Sequence, residues 1–216
     1  MRRALDTGTE APTWGALQNG VMDWQVRPVA VEDADAIAAI YAPIVERTTI
    51  SFEVTAPTAR DFVRRIEALV PRYPWLVARD GDRVVGYAYA GPHRERASYR
   101  WSTDLSVYVD ASARRRGVAR TLYRSLLRIL ELQGFYRAFA GITLPNDASV
   151  ELHRALGFER VGIYRDVGFK FGAWRDTAWY QRQIKEGAGP PHETIGFAAL
   201  EPRLISEACD AAIASS

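Results

Sequence analysis

The sequence predicts a mixed α/β fold, on three observations. The apolar runs Trp75–Arg79 and Val84–Ala90 flank Asp80-Gly81-Asp82-Arg83, the pattern of two antiparallel strands joined by a tight turn. The alternating segment Leu105–Val109 enters a basic, glycine-containing turn and passes at once into a helix, with another strand beyond it. Two further strand-like segments then close the domain, so early antiparallel hairpins surround a central strand–helix–strand unit.

Gln25–Val29 reads as the first strand. Ile37, Ile40, Tyr41, Ile44 and Val45 follow at helical spacing. Thr58 and Asp61 have the spacing of a capping box, and Phe62, Ile66 and Leu69 continue one apolar face. The helix after the basic turn buries Leu122, Leu126 and Ile129, with Tyr123, Leu127 and Leu130 beside them, and Gly134 is placed to end it. Ala138–Leu144 is the next strand. Pro145-Asn146-Asp147 starts a short helix through Leu156 that Gly157 ends, and strands around Phe158–Tyr164 and Ala173–Ile184 follow. Gly187, Gly189, Pro190 and Pro191 mark residues 185–191 as a linker, and a helix is expected around Leu204–Ile213. The expected organisation is an N-terminal extension over 1–21, one domain over 22–184, and a linker and partly helical tail over 185–216.

The 216 residues, 48% of them hydrophobic, suffice for one sizeable core. A net charge of +2 gives no reason to expect nucleic acid as a partner. The single cysteine, Cys209, allows no disulfide within the chain and no cysteine-rich metal site, which fits a reducing cytoplasm. No run has the length of a membrane span. Met1-Arg-Arg lacks the apolar segment an export signal needs, so a cytoplasmic protein is expected. His93 and His192 have no companions at metal-ligand spacing, and no metal is expected.

Chemistry concentrates in Leu105–Arg120. A strand, a turn and a helix N-terminus form an anion site, because the first N–H groups of a helix have no intrahelical acceptor and the dipole there favours negative charge. Arg114, Arg115, Arg116 and Arg120 add positive charge, and Gly117 permits a positive φ and close approach. The pyrophosphate of a nucleotide cofactor suits such a turn.

Arg114-x-x-Gly117-x-Ala119 resembles the acyl-CoA-binding motif of the GNAT N-acetyltransferases. Six further segments occur in order: Arg72-Tyr-Pro-Trp-Leu-Val-Ala78, Tyr89-Ala-Gly-Pro92, Ser106-Val-Tyr-Val109, Leu144-Pro-Asn-Asp147, Leu152-His-x-Ala-Leu-Gly-Phe158 and Gly168-Phe-Lys-x-Gly-x-Trp174. Together they resemble the branch that acetylates phosphinothricin, methionine sulfoximine and methionine sulfone, over about residues 24–184. The resemblance implies a GNAT-like fold, with a central mixed, mostly antiparallel sheet flanked by helices and a splayed cofactor strand. It implies acetyl-CoA as co-substrate, a homodimer, and acetyl transfer to the α-amine of a small acidic amino-acid analogue. Detoxification is the role expected.

The resemblance also assigns residues. The backbone of Val107, Tyr108 and Val109 would pair with pantetheine while the side chains pack, and Val118 and Ala119 continue the phosphate turn. Asp104 stands where this branch usually has glutamate. It is read as a base acting through water, as an electrostatic anchor for the amine, or as a solvated strand-end residue. Helical spacing places Asn146, Ser149 and His153 near one face. The branch has histidine at the place of His153, where it would protonate the leaving thiolate or share the base role. Asn146 would bond pantetheine amides or cap its helix. Arg94, Arg96 and Tyr99 are placed to take the substrate's acidic end, with Ser106 beside it. Arg94 replaces a lysine common in the branch. Phe52 would wall the pocket or belong to the core. Tyr164, Phe169, Phe171, Trp174, Trp179 and Tyr180 are read as core or dimer interface. Attack is expected to be direct, since Cys209 lies outside the resemblance with no nucleophile–base pattern. The alternatives are another small amine or a protein N-terminus as acceptor, or a weakly catalytic acyl-CoA sensor.

Overall fold

The computed structural model describes residues 24–187 and 189–214. The expected extension, residues 1–21, lies outside them. The elements run β1 (Trp24–Pro28), α1 (Ala34–Arg47), α2 (Ala59–Leu69), β2 (Trp75–Asp80), β3 (Arg83–Pro92), β4 (Ser102–Val109), α3 (Val118–Gln133), β5 (Arg137–Thr143), α4 (Asp147–Ala155), β6 (Glu159–Lys170), β7 (Ala173–Gln183) and α5 (Pro202–Ala214).

Local signals explain most of these boundaries. Thr58 Oγ1 accepts from Asp61 N–H, and the Asp61 carboxylate accepts from Thr58 N–H at 2.8 Å, so the capping box starts α2. Gly81 turns β2 into β3 at φ +58°. Gly134 ends α3 at φ +88°, a conformation that needs no Cβ accommodation in glycine. β6 extends well past the expected end near Tyr164 because it bends. Asp166 adopts φ +47°, its N–H held by the Asp176 carboxylate at 2.9 Å, and pairing with β7 resumes at Gly168.

Seven strands form one sheet in the order β1-β2-β3-β4-β5-β7-β6. Every neighbouring pair is antiparallel except β4 with β5. That parallel pair is short: Ser102, Thr103 and Asp104 oppose Arg137, Ala138 and Phe139, and pairing stops there. Beyond it β4 stays with β3 to Val109 opposite Gly86, while β5 stays with β7 to Thr143 opposite Thr177. The sheet therefore opens into a V whose apex is at Asp104.

Both faces are covered. On one, Leu76, Ala78, Ala88, Leu105, Ala138, Ala140 and Ile142 pack against Leu122, Leu126 and Ile129 of α3, with Ile205, Ala208 and Cys209 of α5 in the same cluster. On the other, Trp75, Val77 and Tyr87 meet Ile37, Ile40 and Val45 of α1 and Phe62 and Ile66 of α2. Such double coverage explains why β2 and β3 are apolar at nearly every position. Lys170, at the far end of the bent β6, is buried and donates to the Val45 and Ser51 carbonyls, both at 2.7 Å, which ties this hairpin to the chain after α1.

Asp33, at the entry to α1, receives a bidentate pair from Arg27, both bonds at 2.7 Å, and the Ala30 N–H at 2.8 Å. Burial pushes its carboxyl up, but the Arg27 guanidinium and the Ala30 N–H outweigh that and hold it below the usual range. A carboxyl with a lower pKa folded than unfolded stabilises the fold above its unfolded pKa, and that contribution is lost as pH falls through the folded value. Asp33→Asn is therefore expected to lower stability by about 2 kcal/mol at neutral pH, with the difference shrinking below about pH 4. Urea denaturation at both pH values checks this; equal stability of the two proteins at pH 7 would refute it.

Candidate active site

The turn between β4 and α3 presents unpaired backbone donors at a helix N-terminus. Arg115 adopts φ +58° and Gly117, the N-cap of α3, φ +86°. Among the described residues, the N–H groups of residues 115–120 find no acceptor. Gly86 lets this end of α3 sit tightly on β3: a Cβ there would lie 3.0 Å from Val118 Cγ1 and 3.1 Å from the Tyr108 carbonyl. Val118 is buried and Ala119 half-buried, while Arg114, Arg115, Arg116 and Arg120 are exposed. Arg116 is already engaged, with Asp80 at 3.0 Å and its guanidinium 5.2 Å from the Trp24 ring centre. Residues of this turn thus fit a pyrophosphate through backbone donors, with three of the four arginines pointing charge outward.

Past Asp104, β4 has no partner on its β5 side. The half-buried side chains of Val107 and Val109 pack on the α3 side of the core, so their backbone is available in the V without loss of packing. Tyr108 points to the other face, edge-on to Tyr41 with ring centres 4.8 Å apart. A slot lined by unpaired strand backbone, ending on a helix N-terminus, suits an extended amide chain bearing a pyrophosphate.

Asp104 stands at the apex. Its carboxylate lies 2.6 Å from His93 Nδ1. Burial raises its pKa, opposed by the His93 hydrogen bond and by the charge of Arg94. His93 stacks on Phe139 of β5, centres 4.0 Å apart and 11° from parallel, with Trp179 and Tyr99 presenting edges at 6.1 and 5.9 Å. Arg94 donates to the His93 carbonyl and lies over the Trp179 ring at 5.6 Å. Ser106, two residues along β4 on the same face, pairs across the sheet with Tyr89. Asp104, Ser106, Arg94 and Tyr99 are thus brought to one side of the V. Arg96 is exposed just before a short 3-10 turn over Ala97–Tyr99.

His153 is placed elsewhere. Asn146 caps α4 by accepting from Ser149 N–H at 3.2 Å, and His153 Nδ1 donates to the Ser149 carbonyl at 2.7 Å, so the expected shared face is present. The ring is buried among Tyr123, Phe158 and Tyr180, on the α3 side of the sheet and away from the face of Asp104. Burial lowers its pKa against the Ser149 hydrogen bond, and among the described residues its buried Nε2 has no partner. That orphaned nitrogen fits a donor from a chain threaded through the V.

Phe52 is partly exposed and lies against Gly168, where a Cβ would fall 2.5 Å from its ring. Beside it Glu53 receives a bidentate pair from Arg65 and the Tyr41 hydroxyl at 3.1 Å. Tyr180 is core, whereas Tyr164, Phe169, Phe171 and Trp174 are exposed along the β6–β7 hairpin. Sequence reasoning left His93 without a role. Its partner is eleven residues away across a strand connection, and only the β3–β4 register, with Pro92 opposite Thr103, brings the two together.

Comparison with known proteins agrees with this geometry. The acetyltransferase (GNAT) domain family matches residues 26–179. A phosphinothricin N-acetyltransferase of Streptomyces viridochromogenes is 40% identical over 166 residues, 77% of this chain and 91% of that protein. An L-methionine sulfoximine/L-methionine sulfone acetyltransferase of Pseudomonas paraeruginosa is 34% identical, covering 79% of this chain and 100% of its own. The crystal structure of a GNAT phosphinothricin acetyltransferase from Sinorhizobium meliloti in complex with acetyl-CoA superimposes with a TM-score of 0.77 at 34% identity, over 81% of this chain and 96% of that one. The open V, the phosphate turn and these matches together place the chain in the GNAT family of acetyltransferases.

Proposed function

We propose that this acetyltransferase transfers the acetyl group of acetyl-CoA to the α-amine of a small acidic amino-acid analogue of the phosphinothricin, methionine sulfoximine or methionine sulfone type. The observation that carries the reading is the juxtaposition at the apex of the V: a carboxylate, Asp104, where the thioester would arrive, with Arg94 and Tyr99 beside it. Arg94 offers a planar donor set to a carboxylate or phosphinate, and Asp104 attracts the ammonium. The names of the relatives support the same substrate class.

In the reaction, acetyl-CoA supplies the activated acetyl group. The backbone of Val107, Tyr108 and Val109 holds its pantetheine arm, and the turn from Arg114 to Arg120 holds its pyrophosphate through N–H groups. Asn146 and Ser149 would border the same slot, and His153 Nε2, on the α3 side of the sheet, would accept a hydrogen bond from the arm. Ser106, Arg96 and Phe52 complete the amino-acid pocket. Asp104 draws the proton path away from the amine. No acyl-enzyme is needed: Cys209 is buried on the core-facing side of α5 and its thiol is pushed up to about 12 by burial.

The exposed aromatics Tyr164, Phe169, Phe171 and Trp174 on the β6–β7 hairpin favour a homodimer through that hairpin. Detoxification in the cytoplasm, where acetyl-CoA and reduced cysteine coexist, is the role this implies.

Free-thiol release from acetyl-CoA with phosphinothricin, methionine sulfoximine, methionine sulfone, the common amino acids and a peptide bearing a free N-terminus tests the reading. We expect kcat/KM for at least one of the three analogues to exceed that for the common amino acids and the peptide by at least about tenfold, the effect of one well-placed polar contact. A preference for the peptide, or acetyl-CoA binding without turnover of any amine, would overturn it.

A further inference from the structure

The geometry points to His93, not the Asp104 carboxylate itself, as the group that takes the proton from the attacking amine, with Asp104 as the positioning residue that orients it. This rests on the acetyl transfer to an amine proposed above.

Three features carry the inference. The first is the pair itself: Nδ1 and the Asp104 oxygen are 2.6 Å apart. An ionised carboxylate only accepts hydrogen bonds, so Nδ1 carries the hydrogen and the lone pair of the neutral ring is on Nε2. The second is that this nitrogen is free. Among the described residues Nε2 has no hydrogen-bond partner, and it is not among the buried polar atoms left unpaired, so the ring retains access to solvent with its side chain 12% exposed. The third is that the ring is held. Phe139 is stacked beneath it and the edges of Tyr99 and Trp179 flank it, which fixes the plane that the Asp104 bond alone would leave free to tilt. A free, oriented imidazole at the apex of the V is placed to take a proton at Nε2, whereas the Asp104 oxygen is occupied by the Nδ1 hydrogen.

The step balances simply. His93 Nε2 accepts one proton from the substrate ammonium. The freed lone pair forms the N–C bond at the thioester carbonyl, the C–S bond breaks, and the thiolate leaves with the electron pair. The second proton of the nitrogen ends on the thiolate, and the proton on His93 passes to solvent. No oxidant or further reactant is involved.

The charged and titratable groups facing the ring are Asp104 from β4, Arg94 from its own segment and Tyr99 from the 3-10 turn; Phe139 and Trp179 are neutral. A base must be unprotonated to act, so an acid-side fall of kcat/KM that depends on His93 follows.

The test uses the full chain, His93→Gln and His93→Phe, the second preserving a flat ring on Phe139. The first measurement is the pH profile of thiol release with phosphinothricin, methionine sulfoximine and methionine sulfone at saturating acetyl-CoA. The second is nitrogen-15 NMR of the imidazole in the unmodified protein and in Asp104→Asn. We expect both His93 variants to lose kcat at least about 100-fold with acetyl-CoA affinity changed less than threefold, and the acid-side fall to disappear from their residual activity. We expect the His93 resonance to report hydrogen on Nδ1, and this preference to weaken in Asp104→Asn. Turnover within threefold of the unmodified protein, or an unchanged acid-side fall, would overturn the proposal; so would hydrogen on Nε2. The NMR arm requires no amine, so a wrong substrate class shows itself as inactivity of the unmodified protein while the state of the pair is still read.

Discussion

Asp104→Asn is expected to lower kcat by about 100- to 1,000-fold while leaving the protein as stable as before, or slightly more so. The loss follows whether the carboxylate acts itself or orients His93, because asparagine is neutral and its amide does not select the Nδ1–H form of the ring. The stability expectation comes from the direction of the pKa shift. Burial raises the Asp104 carboxyl, and the His93 hydrogen bond and Arg94 only partly oppose it. A carboxyl with a higher pKa folded than unfolded binds protons on folding, so the folded state loses stability as pH rises through the window between the two values. Removing the charge removes that cost. A site that is both destabilising and chemically necessary is the familiar signature of function held against stability. Steady-state kinetics and thermal unfolding at pH 7 decide the matter: turnover within threefold, or a markedly lower melting temperature, would contradict this account.

The second large effect is expected at the phosphate turn. Gly117→Val should weaken acetyl-CoA binding at least about tenfold, read by calorimetry, with the melting temperature reduced by only a few degrees. Gly117 adopts φ +86° and ψ −8°. Any residue with a Cβ pays about 1–2 kcal/mol there, and a β-branched one lies at the unfavourable end. If the chain keeps this conformation, the side chain stands where a phosphate must approach the N–H groups. If it relaxes to negative φ, those groups turn away from a common point. Both routes lose binding, and about 1.4 kcal/mol is already tenfold. A folded variant that binds acetyl-CoA within threefold of the original would show that Gly117 serves only to start α3.

These two sites were read from sequence with different success. The turn was legible because everything it needs is contiguous: an alternating strand, a glycine, and an amphipathic helix within sixteen residues. In the folded backbone Arg115 and Gly117 are both at positive φ. Arginine roles were not legible, since the engagement of Arg116 by Asp80 depends on a strand end thirty-six residues away in sequence. At the apex, Asp104 was found through its place in the motif, but its partner was passed over. His93 lies in a connection with no periodicity and was weighed only as a metal ligand.

The sequence by itself determined the order and kind of the elements, the capping box at Thr58 and Asp61, the stop at Gly134, and the glycine N-cap of α3 after the β4–α3 turn. All of these are decided by residues within a few positions of one another, where propensity, capping and glycine geometry act without help. Tertiary structure alone decided the rest. The β4–β5 pairing ends after three residues, which opens the V; His93 meets Asp104 through the β3–β4 register; and Lys170 reaches Val45 from 125 residues away. It also put His153 on the opposite side of the sheet from Asp104, although both were read as members of one catalytic group. The physical reason is that register and side-chain face are set by long-range pairing. A strand's period of two shows that neighbours alternate, but which face meets which partner is fixed only when the strands come together.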